Sequence, residues 1–253
     1  MINNNLKIEF LNAIALKPLQ KIAEKKQEQL PVDYFAFYNS ISSVYSSKIE
    51  GENIDFDSFF KHKFLKVKYK PDYTKKAEDL FKAYEFIQQN EMSPKNIFKA
   101  HKMLGKHLFP KKHKWSIRET PIFVINGKNR IEYIACEPYQ VKEELDIFFV
   151  KISELLDANL SILESFFYAA QIHLVFVKIH PMQDGNGRTA RLLEKWFLLQ
   201  KLGEDAVSIE LEKNYYINRA AYYNNIRKIG LEYQTLDYSK ALDFLLMTVN
   251  SLK

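Results

Sequence analysis

The sequence predicts a mainly α-helical fold: a helical bundle carrying one small β-hairpin. Three observations lead there. The 253 residues include only seven Gly and eight Pro, too few for the many tight turns of a sandwich or barrel. Long stretches repeat apolar residues at helical spacing and are punctuated by capping residues. Only "TPIFVINGKNRIEYIA", residues 120–135, places two β-rich runs around a turn, and this reads as a hairpin.

The elements follow in order. Residues 6–30 have helical periodicity, interrupted near Pro18. "DYFAFYNSISSVYSSKIE" from Asp33 reads as a helix stopped by Gly51, since glycine takes the left-handed backbone that ends helices. "DFDSFFKHKFL" is a short helix. Pro71-Asp72 opens another that runs through Gln89, with Leu80, Phe81, Tyr84 and Ile87 on one face. Ser93-Pro94 caps the next: the Ser oxygen accepts an orphan amide and Pro fits the first turn. That helix is expected to reach about Phe109, followed by a loop, "FPKKHKWSIRE".

In the hairpin, Asn126-Gly127-Lys128-Asn129 form the turn. A lone strand pair is barely stable, so it should lie on the helical body with its tip in solvent. Glu137-Pro138 starts a helix to about Asp157, and Ser161 to Ile179 forms an apolar central helix. A glycine-bearing loop interrupts, and a helix continues from Thr189 to Leu202. "EKNYYINRAAYYNNIRKI" reads as one further helix and residues 235–251 as the last.

Apolar residues make up 47% and aromatics 14%, enough for a sizeable core. The formal charge is +6, with the excess in clusters such as "KHKFLKVKYK" and "PKKHK". These read as solvated faces, although a basic balance also suits a phosphate site. Cys136 is the single cysteine, so no intrachain disulfide forms, which fits a reducing, cytoplasmic setting. "MINNNLKIEF" lacks the basic start and apolar stretch of a signal peptide. The apolar run Phe166–Ile179 is short and broken by Gln171, His173 and Lys178. It reads as a buried helix, with no membrane partner.

Chemistry concentrates in residues 180–191, "HPMQDGNGRTAR". A chain poor in glycine places two here, flanking Asn186, just before a new helix. Helix N-termini present unpaired amides and partial positive charge, which suit phosphate oxygens. Gly185 and Gly187 let the backbone approach an anion without a Cβ in the way, and Asn186 can offer amide donors. Arg188 and Arg191, three apart on the first turn, can clamp further oxygens. Asp184 would repel an anion unless Mg²⁺ bridges the two. His180, with an ordinary pKa near ~6.5, can take a proton from an attacking hydroxyl. Base, metal ligand, anion nest and arginine clamp are the parts of a phosphoryl or nucleotidyl transferase.

Each residue alone has a bland reading as a helix end, a turn, a cap or a surface charge. Those separate readings do not require this joint order within twelve residues. A Walker loop is absent. Zinc between His173 and His180 is disfavoured, because seven helical residues separate them by roughly 10 Å. His173 reads as a core histidine with a hydrogen-bond partner.

The stretch "HPMQDGNGRTAR" closely resembles the signature of the Fic family, His-Pro-Phe-x-Asp/Glu-Gly-Asn-Gly-Arg-x-x-Arg. Met182 replaces the usual Phe and should still pack inward. The likeness runs from about Pro71 to Leu202, and more loosely to Ile229. It implies a Fic-type helical bundle that transfers AMP from ATP to a Ser, Thr or Tyr hydroxyl of a target protein, with ATP as substrate and Mg²⁺ as metal. His180 then matches the general base, Asp184 the Mg²⁺ ligand, and Gly185, Asn186, Gly187 and Arg188 the phosphate nest. Arg191 matches the arginine on the γ-phosphate. The hairpin lies where the family keeps its flap, so Ile122, Phe123, Val124 and Ile125 are expected to hold an extended target segment by backbone pairing. The family also often places tyrosines late in the domain near the adenine, and "NYYINRAAYYNNI" resembles that habit loosely, so the resemblance implies Tyr222, Tyr223 and Asn225 as nucleotide contacts.

A second stretch, "SSKIEGEN" at 46–53, resembles the family's inhibitory motif through Ser46, Glu50 and Gly51. It lies N-terminal to the signature, as in the subclass with an N-terminal inhibitory helix. If Glu50 reaches Arg191, a carboxylate occupies the place of a γ-phosphate oxygen. The expected organisation is residues 1–70 as an N-terminal helical region carrying this motif, 71–203 as the catalytic core and 204–253 as C-terminal helices packed on it. Removal of AMP from a modified protein, or transfer of another phosphate-containing group, stays open. So do self-modification and a homodimer. A basic nucleic-acid-binding module has no reader motif in its favour, and the intact loop speaks against an idle interaction domain.

Overall fold

The computed structural model describes residues 2–15, 18–27, 29–108, 116–125 and 131–252. The hairpin turn at 126–129, Phe109 and the "PKKHK" cluster lie outside them. Twelve α-helices and one two-stranded antiparallel sheet make up the regular structure of the described residues, so the mainly α expectation holds.

The first two helices, α1 (Lys7–Asn12) and α2 (Pro18–Lys26), divide at the expected proline. Helix α3 (Tyr34–Ile49) starts where the Asp33 carboxylate accepts from the Ala36 amide. Asp55 caps α4 (Phe56–Leu65) in the same way. Helix α5 (Pro71–Gln88) buries Leu80, Phe81, Tyr84 and Ile87, the stripe read from sequence. Ser93 caps α6 (Pro94–Leu104). That helix ends at Gly105, short of Phe109, because glycine sits where the next turn would have to form.

Strands β1 (Phe123–Ile125) and β2 (Ile131–Ile134) pair Phe123 with Ile134 and Val124 with Tyr133, with an irregularity before Ile125. The Ile134 amide donates to the Leu231 carbonyl, which ties the second strand to the body and leaves β1 on the outside. A short 3₁₀ turn precedes α7 (Val141–Asp157). Helix α8 (Ile162–Ile179) opens with a reciprocal capping box between Ser161 and Glu164, and every residue from Ser165 to Ile179 is buried. Length and apolarity would let it cross a membrane, but here it is the core. Beside it packs α9 (Asn186–Leu202), buried from Arg188 to Leu199.

Three further departures from the sequence reading have local causes. Helix α9 begins at Asn186 rather than near Arg188–Thr189, so Asn186 and Gly187 belong to its first turn. The tyrosine-rich segment is two helices, α10 (Leu211–Ile217) and α11 (Arg219–Lys228). Between them the Asn218 amide donates to the Asn214 carbonyl and side chain, a side-chain bond that competes with the backbone ladder. The last helix, α12 (Leu242–Asn250), is shorter than expected. Asp237 folds back to accept from the Ser239 amide and closes a 3₁₀ turn instead.

Candidate active site

The loop between α8 and α9 is fastened from inside. The Asn186 side chain accepts from the Met182 amide and donates to the Met182 carbonyl, both at 2.8 Å. It is 1% exposed. The expectation that this side chain offers donors to a ligand is therefore corrected: its amide closes the loop, and only its backbone N–H belongs to the helix terminus. Met182 is buried as expected. It bridges to Ile117 in an isolated antiparallel pairing, next to the Arg118 amide donating to Pro181 O at 2.9 Å.

The two glycines serve different needs. Gly185 has φ +75°, a left-handed backbone that favours glycine. Gly187 is ordinary helix. A Cβ there would stand 2.6 Å from Glu50 Oε1, so its bareness makes room for a carboxylate over the first turn of α9.

His180 caps α8 in a left-handed conformation, φ 52°, which is rare outside glycine and marks a held geometry. What holds it is Arg118, 3% exposed. Its guanidinium donates to the carbonyls of His180 (2.6 Å), Thr120 (2.8 Å), Ile179 (3.2 Å) and Cys136. One side chain thereby joins the C-terminus of α8 to both ends of the hairpin. The His180 ring places Nδ1 3.2 Å from Val177 O and 3.2 Å from the Tyr133 hydroxyl. A carbonyl only accepts, so Nδ1 carries the proton and Nε2 keeps its lone pair. Burial pushes the ring pKa down to about 4, so the imidazole is neutral at pH 7.

Both arginines of the loop meet carboxylates from the end of α3. Arg191, 1% exposed, donates from Nη2 to Glu50 Oε1 at 2.6 Å and to Ser46 O at 3.2 Å, from Nε to Ser46 Oγ at 3.0 Å, and from Nη1 to the Tyr222 hydroxyl at 3.3 Å. Burial would lower the guanidinium pKa, but the Glu50 charge outweighs it and the pKa rises. Burial likewise works against the Glu50 charge, and the Arg191 and Arg188 guanidiniums more than offset it, so the carboxyl titrates below its ordinary range. Arg188 is 4% exposed and donates from Nη2 to Glu52 Oε1 at 3.3 Å. Gly51, at φ +89° with open space around its missing Cβ, supplies the turn between the two acids.

Asp184 is exposed at the rim and accepts from the Gly185 amide at 2.5 Å. Among the described residues no cluster of three or more His, Cys, Asp or Glu could hold a metal alone. A single exposed carboxylate beside an anion seat fits Mg²⁺, which commonly takes one or two carboxylates and completes its shell with phosphates and water. On the hairpin, Phe123 and Ile125 are 55% and 57% exposed, while Ile122 and Val124 are half-buried. The outer edge of β1 pairs with no strand among the described residues.

The three late residues separate. Tyr222 is 2% exposed, and its hydroxyl lies between Arg191 and His173 Nε2, 2.9 Å away. Its ring is core and cannot stack on a base from this position, so it backs the arginine. His173 continues inward to Glu194 at 2.6 Å, which also accepts from Tyr215 and Thr248. This is the partnered core histidine that the sequence suggested. Tyr223 is half-buried and donates to Ile49 O at 3.3 Å, capping α3 beside Glu50. Asn225 donates to Met247 Sδ at 3.4 Å on α12 and does not join the loop's network.

Sequence reasoning missed Arg118, Tyr133, Glu52 and His101. Arg118 precedes the hairpin and Tyr133 lies within its second strand, and Glu52 stands two residues beyond Glu50. His101 supports the loop from beneath: its Nδ1 lies 2.9 Å from Thr189 Oγ1, which donates to Gly185 O at 2.9 Å. Burial lowers its pKa to about 4. The unfolded chain takes up this proton near the ordinary value of 6.5. Stability is then full above pH 6.5 and falls as pH drops toward 4. We expect His101→Asn, which keeps a donor for Thr189, to lose less melting temperature than the parent between pH 7 and 4.5. Parallel thermal melts check this, and equal losses contradict it.

Residues 91–198 match the sequence model of the Fic/DOC family. Members of the family are typically transferases that modify proteins. No curated protein matches the sequence significantly. Among solved structures, a Fic family protein from Desulfovibrio desulfuricans G20 aligns with a TM-score of 0.72 at 18% identity, covering 96% of this chain and 71% of that one. A Fic domain-containing signalling protein from Bacteroides thetaiotaomicron aligns at 0.67 and 15% identity, covering 93% and 94%. Fic-1 (residues 134–508) from C. elegans aligns at 0.68 and 18% identity, covering 98% and 69%. At these identities the likeness is one of fold.

Proposed function

We propose that the protein is an adenylyltransferase that moves AMP from ATP to a hydroxyl of a target protein and holds itself back through Glu50. The observation that carries this reading is the Glu50 carboxylate lying over the first turn of α9 on Arg191, where an anion of the substrate would sit. A seat already filled by an oxyanion of the chain is a seat shaped for one.

In the active state the target hydroxyl gives its proton to His180 Nε2 as its oxygen attacks the α-phosphorus. The new P–O bond forms as the bond to the bridging oxygen of the β-phosphate breaks, and pyrophosphate leaves with that electron pair. The α9 N-terminal amides and Arg188 meet the phosphates, and Arg191 orients the far end so that the leaving group lies in line. Asp184 is the residue that would hold Mg²⁺, whose charge neutralises the leaving phosphates. Arg118 and Tyr133 keep the imidazole turned to the reaction. The free edge of β1, with Ile122 to Ile125, receives an extended target segment by backbone pairing.

The test uses the Glu50→Gly variant with ATP labelled at the α- or the γ-phosphate, alongside labelled GTP, CTP and UTP, in a lysate and with the protein alone. We expect protein-bound label from α-labelled ATP and none from γ-labelled ATP. Label from the γ position would replace nucleotidyl by phosphoryl transfer. Label from another nucleotide alone would change the transferred group.

A further inference from the structure

The turn after α3 presents two carboxylates, and the second has partners of its own. Glu52 Oε1 accepts from Lys76 Nζ at 2.6 Å and from Arg188 Nη2 at 3.3 Å. Lys76 comes from α5 and Arg188 from α9. Two cations from separate helices thus converge on one carboxylate oxygen. The Arg188 side chain is 5% exposed, and its Nε has no hydrogen-bond partner among the described residues. A buried guanidinium facing an ammonium is stable only while an anion lies between them.

The backbone makes the two acids a unit. The Gly51 amide donates to Lys48 O and the Glu52 amide to Ser47 O, both at 3.1 Å. With Gly51 left-handed, this is a Schellman ending. It fixes Glu50 and Glu52 on either side of one glycine, the first on Arg191 and the second on Arg188. If the first oxygen stands in for one of a bound triphosphate, the second sits where another of its oxygens is within reach of Arg188.

We propose that Lys76 and Arg188 form a second phosphate-binding pair, occupied in this state by Glu52, that takes an oxygen of the pyrophosphate portion of a nucleoside triphosphate when the turn withdraws. Lys76 is then a substrate-binding residue contributed from outside the loop, and Glu52 is a second self-blocking carboxylate. Because one rigid turn carries both acids, they leave their arginines together. This rests on the reading of the loop as a triphosphate site. The plainer account is a surface ion pair between Glu52 (29% exposed) and Lys76 (37% exposed), which on average contributes little.

Equilibrium binding separates the two without requiring turnover. Calorimetry would follow inorganic pyrophosphate, ATP and AMP with Mg²⁺ on the full chain, Glu52→Gln, Lys76→Met and the double variant, each checked by thermal melt for folding. On this proposal Glu52→Gln tightens pyrophosphate and ATP about tenfold. Adding Lys76→Met to it loosens both about tenfold, while AMP is unchanged. If Lys76→Met has no effect on pyrophosphate in the Glu52→Gln background, the pair is a surface contact and the proposal fails alone. If no folded variant binds pyrophosphate or ATP, the triphosphate reading of the loop fails and takes the proposal with it.

Discussion

Glu50→Gly is expected to raise transfer of α-label from ATP to protein by about ten- to hundredfold. The estimate starts from the contact. Glu50 Oε1 lies 2.6 Å from Arg191 Nη2 and keeps 29% of its side chain exposed. It is neither a dry buried pair nor a solvent-screened one. Hydrogen bonds to charged groups contribute about 1.5–3 kcal/mol, and about 1.4 kcal/mol is a factor of ten. Deleting the side chain empties the place over Gly187 and leaves Arg191 anchored by Ser46 and Tyr222, so the clamp survives the loss of the brake. Arg191→Ala should behave oppositely: it frees Glu50 but removes the clamp, and transfer falls. Acidification should not mimic the activating variant through mild acid. The arginines hold the Glu50 carboxyl below its ordinary range, and the contact is lost only as pH falls through that lowered value. Equal label on parent and Glu50→Gly would end the brake hypothesis.

How much of this was legible before the structure depends on distance along the chain. The loop 180–191 could be singled out because its pattern is local: a histidine at a helix end, two glycines and two arginines on the next turn lie within twelve residues. The partners of that loop could not. Arg191 meets Glu50 141 residues away, and only the resemblance joined them. Lys76 with Glu52, and Arg118 with the His180 carbonyl, cross between elements and leave no periodic trace. Propensity misjudged Asn186 for a related reason. An Asn beside glycines has the composition of a ligand-facing turn, yet its side chain is consumed by Met182 inside the loop. The tyrosines of α11 show the reverse error. Their spacing fits either a base-stacking wall or a core stripe, and Tyr222 proved to be core. Sequence supplied the helices and the chemistry-bearing turn, whereas charge pairing between helices decided which residues confront it.

His180→Ala is expected to lower transfer in the Glu50→Gly background by about 10²–10⁴-fold, the usual worth of a positioned general base, while ATP binding stays near that of the parent. The split follows from where the ring is held. Its Nδ1 is committed to Val177 O and Tyr133, its carbonyl to Arg118, and none of these contacts belongs to the proposed phosphate seat on α9. The pH profile tests the same assignment independently. A ring driven to a pKa of about 4 by burial is already neutral at pH 5. The kcat/KM of transfer, which reports the free enzyme, should therefore be flat from pH 5 to 8 and fall only below, as the imidazole takes a proton and can no longer accept one. An acid limb near 6.5 in kcat/KM would mean that the free enzyme's ring lies in open solvent, contrary to its packing beneath the hairpin. Full transfer by His180→Ala would move the base elsewhere. Such low basicity makes the ring a weak acceptor in the resting state, and that is compatible with catalysis only if its pKa rises as substrate binds. A polyphosphate beside the ring supplies the negative charge to raise it, so the profile of kcat should show a higher acid pKa than that of kcat/KM.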